Sequence, residues 1–336
     1  MITIKEMADI LGVSTTTVSN VIHGKTSEVS KKTVEKVRRM LDELDYVPNM
    51  NARNLAQNES KIIGIALKAR RDKYENMIKD PFMGEVIGAV EKSVRARGYF
   101  MMLYISNEID EIAQYISSWN VDGLILIGMV HDDCLKVKHK CKKPMILIDS
   151  YSPEEAITYS NVGLEDAKGS LEMTRYLIQN GHTRIAFLSD NCEGVDYERF
   201  SGYQTALQES GIKYKERDFI LIRPSVLGDS LKEIYELSSE YTAFFCISDY
   251  YAALVMNYLK DKGREIPKDI SVVGFDDNIY GQLVRPALTT VHQNPSEKGE
   301  LAVDILIESI QKKTEQAIRV SLPTRLVIRN SVKKIN

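Results

Sequence analysis

The sequence predicts two kinds of fold in one chain: a small all-α domain over residues 1–48, then an α/β core of two doubly wound parallel sheets over 61–336. Three observations carry this. Apolar residues recur at helical spacing through the first forty-five positions, and from Lys61 the rhythm changes to short apolar strands alternating with amphipathic helices. At 336 residues the chain also exceeds what one ordinary core holds.

In the first unit, Thr3-x-x-Glu6 is a capping box that opens a short helix through Ile10, with Ala8 and Leu11 turned inward and Gly12 allowing a tight exit. Ser14 is a good N-cap for a second helix, in which Val18, Val21 and Ile22 recur at helical spacing and which Gly24 ends. Ser30 can cap a third, with Val34, Val37, Leu41 and Leu44 as one apolar stripe and Pro48 as its limit. Three short helices with a tight turn between the first two fit a helix-turn-helix.

The stretch VSTTTVSN is informative because three successive threonines are not there for helix propensity. With the valines facing the core, Thr15, Thr16, Ser19 and Asn20 form the exposed front of the second helix. Short polar side chains let a helix approach a groove: hydroxyls reach phosphates or bases, a threonine methyl touches thymine, and asparagine pairs with adenine. Lys5 and Lys25, near helix ends, suit phosphate contacts. A solvated polar face with ordinary surface lysines is the competing reading, and bulk charge does not decide. Residues 1–60 carry eight Lys or Arg and eight Asp or Glu, although up to Arg39 the tally is seven against four. The following segment NMNARNLAQN has helix formers around Ala52, Arg53, Leu55 and Ala56 between asparagines. It is too short to persist alone as a helix in water and calls for a partner or a surface; an ordinary linker is the alternative.

In the core, KIIGIAL, YFMMLYIS, VDGLILIG and PMILIDS read as buried parallel strands, with helices near 82–97 and 108–118 between them. After a crossing near SNVGLED and a helix near 165–179, a second set follows: TRIAFLSD, DFILIRPS, TAFFCISD and ISVVGFDD, with helices near 197–209, 229–238 and 251–261. Ligands in such sheets sit beyond the carboxyl ends of strands, and a cleft between two such units is the expected site. Those ends carry Asn107, Asp149, Asp190, Ser248 and Asp276, suited to a polyhydroxylated ligand. Arg199 adds a fork of donors, and Phe82, Tyr250 or Tyr280 can pack on an apolar ligand face. Taken singly, each acidic residue could equally be a helix cap or turn.

Other classes find little support. Asp276 and Asp277 are adjacent and on extended backbone point apart, a poor start for paired-carboxylate chemistry. HDDCLKVKHKC matches no closed zinc motif, His182 reads as a local packing residue, and no phosphate-binding G-x-x-x-x-G-K-S/T loop is present. Four cysteines make no secreted disulfide framework at this length, and no apolar run is long enough to span a bilayer. A non-enzymatic, cytoplasmic protein without metal or cofactor is expected.

TIKEMADILGVSTTTVSNVIHGKTSEVSKKTVEKVRRMLDELDYVPNMNARNLAQNESKIIGI resembles the N-terminal region of the LacI/GalR family of bacterial transcriptional regulators. DPFMGEVIGAVEKSVRARGY, VGLEDAKGSLEMTRYLIQNGHTRIAFLSD and RPALTTVHQN extend the resemblance through a periplasmic-binding-protein-like core. It implies that the second helix reads the major groove through Thr15, Thr16 and Asn20, the last standing where arginine is common. It implies that residues 49–60 form a hinge whose Asn51, Arg53, Leu55 and Ala56 meet DNA, with Leu55 wedged in the minor groove. In the core, Asp80 to Phe82, Asp149, Arg199, Ser248 and Asp276 match positions around the effector. The implied subdomains are about 61–161 with 293–322, and about 162–292 with 323–331. The expected function is a homodimeric repressor of an inverted-repeat operator, released by a small carbohydrate. A corepressor-dependent regulator answering to a purine, another metabolite or a partner protein is the alternative, and a sugar-binding protein without DNA function is a third reading.

Overall fold

The computed structural model describes residues 2–22, 24–46, 59–69, 76–151, 159–313 and 316–335. The chain divides into two compact units, Met1–Ser60 and Lys61–Asn336.

The first unit is helical. The helices α1 (Ile4–Leu11), α2 (Thr15–Ile22) and α3 (Lys31–Glu43) bury Met7, Ala8, Val18, Val21 and Val37 among themselves. The Thr3–Glu6 capping box forms, and Gly12 ends α1 at φ 62°, a conformation that costs glycine no Cβ clash. Ser14 Oγ accepts the Thr17 N–H at 3.0 Å, and Ser30 Oγ accepts that of Thr33 at 3.2 Å. Leu44 departs from the expected stripe: it is the C-cap residue of α3, past the last helical turn, and 45% exposed. Pro48 lies outside the described residues.

The second unit holds two six-stranded sheets. Its elements run β1 (Ile62–Lys68), α4 (Pro81–Ala96), β2 (Phe100–Ser106), α5 (Ile109–Ser118), β3 (Gly123–Ile127), α6 (His131–Lys140), β4 (Met145–Ile148), β5 (Ser160–Leu164) and α7 (Asp166–Gln179). Then come β6 (Ile185–Ser189), α8 (Gly194–Glu209), β7 (Phe219–Leu221), α9 (Leu227–Leu237), β8 (Ala243–Cys246), α10 (Asp249–Asp261), β9 (Ser271–Asp276), α11 (Ile279–Leu283) and β10 (Thr289–His292). The chain ends with α12 (Pro295–Lys312), β11 (Arg319–Leu322) and β12 (Arg325–Val327).

The first sheet has the order β11-β5-β4-β3-β1-β2 and is parallel throughout; the second has the order β12-β10-β9-β8-β6-β7. Two points depart from expectation. The stretch SNVGL is not the crossing but strand β5, held between β4 and β11 with Val162 and Leu164 buried. The chain therefore passes to the second sheet after Leu164, later than the boundary expected at 161/162. The second sheet is also not wholly parallel: β12 runs antiparallel to β10 as an edge strand, because it follows directly on β11 without a crossover helix. The chain returns to the first sheet through α12, which packs on α4, β3, β4 and β5.

The segment HDDCLKVKHKC, to which periodicity assigned no element, is mostly helix α6. Its chemistry-bearing side chains go to separate structural partners: His131 to the Tyr159 hydroxyl, Asp133 to Lys68, and Cys134 to the neighbourhood of Ser150. Burial pushes the Cys134 thiol up to about 12. His182 is buried between the Thr242 hydroxyl and the Lys333 carbonyl, each 3.0 Å away.

Helices α7 and α8 pack closely, and Gly202 permits it. A Cβ there would stand 2.0 Å from the Ala167 carbonyl oxygen and 2.9 Å from the Leu171 nitrogen, both backbone atoms. Gly202→Ala is therefore expected to destabilise the core by about 1–3 kcal/mol through overpacking. A lowered urea midpoint at unchanged slope checks this, and an unshifted midpoint refutes it.

Candidate functional site

In the helical unit, the third threonine is accounted for locally: Thr17 Oγ1 lies 2.9 Å from the capping Ser14 Oγ. Thr15 and Thr16 are exposed, while Ser19 and Asn20 are half-buried on the same helix. Lys5 on α1 and Lys25 beyond α2 are both exposed, and the Lys25 N–H donates to the Asn20 carbonyl at 2.8 Å, which fixes the exit from α2. Asn51, Arg53, Leu55 and Ala56 lie outside the described residues.

In the core, the carboxyl ends of the two sheets are joined by one chain of charged and polar contacts. Asp149 follows β4 of the first sheet with φ 55°. Lys298, on α12 and 1% exposed, gives its ammonium to both Asp149 carboxylate oxygens at 2.7 Å and to Gln293 Oε1 at 3.0 Å. Gln293, on the return crossing between sheets, donates its Nε2–H to Asp276 Oδ1 at 2.7 Å, and Asp276 ends β9 of the second sheet. Arg199 Nη1 stands 3.6 Å from that same oxygen. The Arg199 guanidinium donates from Nε to Asp166 Oδ1 and from Nη1 to the Ile247 carbonyl, each at 2.8 Å, and lies 3.6 Å from the centre of the Phe275 ring. The chain closes where the Tyr151 hydroxyl, between β4 and β5 of the first sheet, meets Asp166 Oδ2 at the start of α7.

Electrostatics follow from this packing. Burial raises the Asp149 carboxyl, Lys298 opposes that rise, and nearby Asp166 adds to it. Burial would lower the Arg199 guanidinium, but Asp166 and Asp276 outweigh it and hold the group above its ordinary value. Asp249, fully buried, is pushed well above the carboxylate range by burial and then by Asp276, although it accepts from the Thr290 hydroxyl and the Asn278 N–H. Asp276 and Asp277 do diverge: Asp277 turns to His292 and Arg329.

Of the sequence-predicted residues, Asp149, Arg199 and Asp276 are thus brought together. Phe82 joins them, its ring centre 5.0 Å from the Lys298 ammonium. Asp80 accepts the Phe82 N–H at 3.0 Å as N-cap of α4, and Ser248 accepts the Tyr251 N–H as N-cap of α10. Asp190 takes a hydrogen bond from the Tyr251 hydroxyl at 2.8 Å, and Tyr250 packs against Tyr251 and Tyr280. Asn107, after β2, donates to Glu108, and its Oδ1 is buried with no hydrogen-bond partner among the described residues. Sequence reasoning missed Lys298, Gln293, Tyr151 and Asp166. Among the described residues no group of three or more His, Cys, Asp and Glu could hold a metal, and no helix is long and apolar enough to cross a membrane.

Residues 3–49 match the profile of bacterial regulatory proteins of the lacI family, and residues 174–332 that of a periplasmic binding protein-like domain. The HTH-type transcriptional repressor PurR of Vibrio campbellii (strain ATCC BAA-1116) is 33% identical over 350 residues, with all of both chains covered. The protein of the same description from Pasteurella multocida (strain Pm70) is 30% identical over 343 residues, covering 99% of each. Among solved structures, a transcriptional regulator CelR–cellobiose complex is 26% identical with a TM-score of 0.73, covering 98% of this chain and 100% of that one. The lac repressor dimer bound to operator and the anti-inducer ONPF shares the fold at a TM-score of 0.85, 24% identity and 99% coverage of each chain. With the helix-turn-helix and the joined sheets in this order, and full-length identity to PurR repressors at this level, the chain belongs to the LacI family of DNA-binding transcriptional regulators.

Proposed function

We propose that this regulator is a homodimeric repressor that reads an inverted-repeat operator and takes a small effector between the carboxyl ends of its two sheets. The observation that carries the effector site is the chain Asp149–Lys298–Gln293–Asp276–Arg199–Asp166, which ties both sheets to one set of strand ends. A ligand touching Arg199 and Asp276 on one side and the Asp149–Phe82 region on the other would favour one angle between the sheets, which is the condition for coupling. Asp80, Asn107, Asp190, Ser248 and Tyr250 surround that contact in this reading. On the DNA side, Thr15, Thr16, Ser19 and Asn20 face base edges, and Lys5 and Lys25 face phosphates. The 49–60 segment serves as the hinge through Asn51, Arg53, Leu55 and Ala56.

The full-length similarity to PurR repressors favours a corepressor, a purine or related metabolite that tightens operator binding. The similarity to the CelR–cellobiose complex, together with donors and acceptors at the strand ends suited to a vicinal diol, supports a second reading in which a carbohydrate releases the operator. Operator affinity at fixed salt, titrated with guanine, adenine, ribose and cellobiose, separates them. Tightening by a base supports the first, release by a sugar supports the second, and indifference of a specific DNA complex to every cleft ligand found would sink both.

Asn20→Ala is expected to weaken specific operator binding by roughly 1–3 kcal/mol, the worth of a bidentate adenine contact. Salt-dependent binding to random duplex should stay nearly unchanged. Equal losses on operator and random DNA would place Asn20 on the phosphate backbone instead.

A further inference from the structure

From Cys134 to Ile148 the chain carries five lysines, Lys136, Lys138, Lys140, Lys142 and Lys143, and no acidic residue. Helix α6 sorts its charge by position: Asp132 and Asp133 open it, and Lys138, His139 and Lys140 close it. That order complements the helix macrodipole, which accounts for the lysines of the last turn. It does not account for Lys142 and Lys143. Both are exposed and stand past the C-cap residue Cys141, where the pull of the dipole has ended. The Lys143 ammonium rests 3.4 Å from Asn120 Oδ1, a neutral acceptor. Helix α5 packs beside α6, and its second half with the turn that follows, residues 113–121, carries no charge.

The sheet decides where this cluster lies. Because β3 and β4 are parallel, α6 runs back between them and delivers Lys140, Lys142 and Lys143 to the amino ends of the strands. The chain enters the core at that same edge. Lys61 precedes β1 with φ 57°, and its N–H donates to Asp122 Oδ2 at 2.9 Å, which fixes the entry beside β3. The strand order β4-β3-β1 sets the approach to β4 two strand spacings from that entry, roughly 10 Å.

We infer that the amino edge of the first sheet is a DNA-facing surface of the core itself, at which Lys140, Lys142 and Lys143 draw the phosphate backbone without reading its sequence. This rests on the proposed contact of the 49–60 segment with DNA. Lys61 is the fifth residue after Ala56, and five residues span at most about 18 Å, so a duplex held at Ala56 lies within reach of this edge. Charges act on one another across about 10 Å at 0.1 M salt, and a run of like cations is matched best by a polyanion. The expected signature is counterion release. Each lysine that takes a phosphate steepens the fall of log affinity with log salt by about 0.9.

The test measures the affinity of the full chain for a long duplex carrying the operator and for a random duplex of equal length, between about 50 and 200 mM salt. Changing Lys140, Lys142 and Lys143 together to Gln is expected to make the salt slope shallower by about 1 to 2.7 on both duplexes. Affinity at 0.1 M salt should fall at least ~10-fold on each, by the same factor. Arginine at the same three positions should keep the wild-type slope. Lys213→Gln, Lys215→Gln and Lys262→Gln together remove equal charge from the second sheet's half of the core and should leave the slope unchanged. Lys142→Gln alone, with an expected change of about 0.9, serves if the triple variant does not fold. An unchanged slope in the glutamine variants overturns the inference and would leave these lysines to an acidic protein partner. A loss confined to the operator duplex, an equal change in the second-sheet control, or a slope that arginine does not keep overturns it too. Leu55→Ala in the same assay reports on the hinge separately: operator affinity unaltered by that change defeats the hinge reading, whatever the lysines do.

Discussion

Arg199→Ala is expected to lower the stability of the core by about 3–5 kcal/mol and to remove the effector response with it. Arg199 is 6% exposed and its partner Asp166 only 2%. Truncation leaves the Asp166 carboxylate buried at the start of α7 with the Tyr151 hydroxyl as its remaining bonded side chain and Asp149 close by. The loss also uncovers the Phe275 face and orphans the Ile247 carbonyl. Arg199 is thus part of the fold as well as of the proposed site, and the alanine variant alone cannot tell the roles apart. Arg199→Gln combined with Asp166→Asn removes both charges together and should recover most of the stability while leaving the effector response absent. Urea midpoints at constant slope report the first quantity, and operator affinity with and without the cleft ligand reports the second. A double variant as stable as the wild type that still responds normally would remove Arg199 from the effector site.

The parts of this site that were legible in the sequence were those announced by local order. Strand-then-polar patterns such as ILIDS and VGFDD place Asp149 and Asp276 at carboxyl ends, and a doubly wound sheet puts ligands there. The same rule is indiscriminate. Ser248 sits at an equivalent end and its side chain caps α10, as Asp80, singled out by the resemblance, caps α4, because the start of a helix has four unpaired N–H groups to satisfy whether or not a ligand is near. Lys298 could not be found this way. In PSEKGELAV it sits in the first turns of a helix among Glu297 and Glu300 and reads as a solvated lysine. Its burial is imposed by an aspartate 149 positions earlier, a pairing that exists only once α12 has crossed back onto the first sheet. Gln293 was hidden for a related reason: it lies on the crossing itself, where no periodicity marks it. Among the described residues the helices of the first unit were legible because their caps act over three residues; Leu44 departs where helical spacing no longer applies, and Ser19 and Asn20, expected on the exposed front of α2, are half-buried.

Leu283→Asp is expected to leave each core folded, convert the dimer to a monomer and lower operator affinity by roughly 10³-fold, about the smallest gap between specific and non-specific DNA binding. Ile279 and Leu283 are spaced to share one face of α11 and are 49% and 67% exposed, a pair of large apolar side chains on a five-residue helix. The helix does not need them for its own support. Asn278 caps its start, and Arg285 Nη1 donates to the carbonyls of Gln282, Leu283 and Val284 at its end. A second copy of the chain is the partner proposed for that face, by an isologous contact in which each Leu283 meets the other subunit. An aspartate there would place like charges opposite each other across the two-fold axis and desolvate both. One helix-turn-helix then binds its half-site alone, without the high effective concentration that the first half-site confers on the second. Sedimentation at micromolar concentration measures the dimer, and operator binding at constant salt measures the consequence. Leu283→Ala, which removes area without adding charge, should weaken dimerisation far less. A Leu283→Asp protein that still sediments as a dimer would move the interface off α11, and one that is monomeric with undiminished operator affinity would show that a single headpiece suffices.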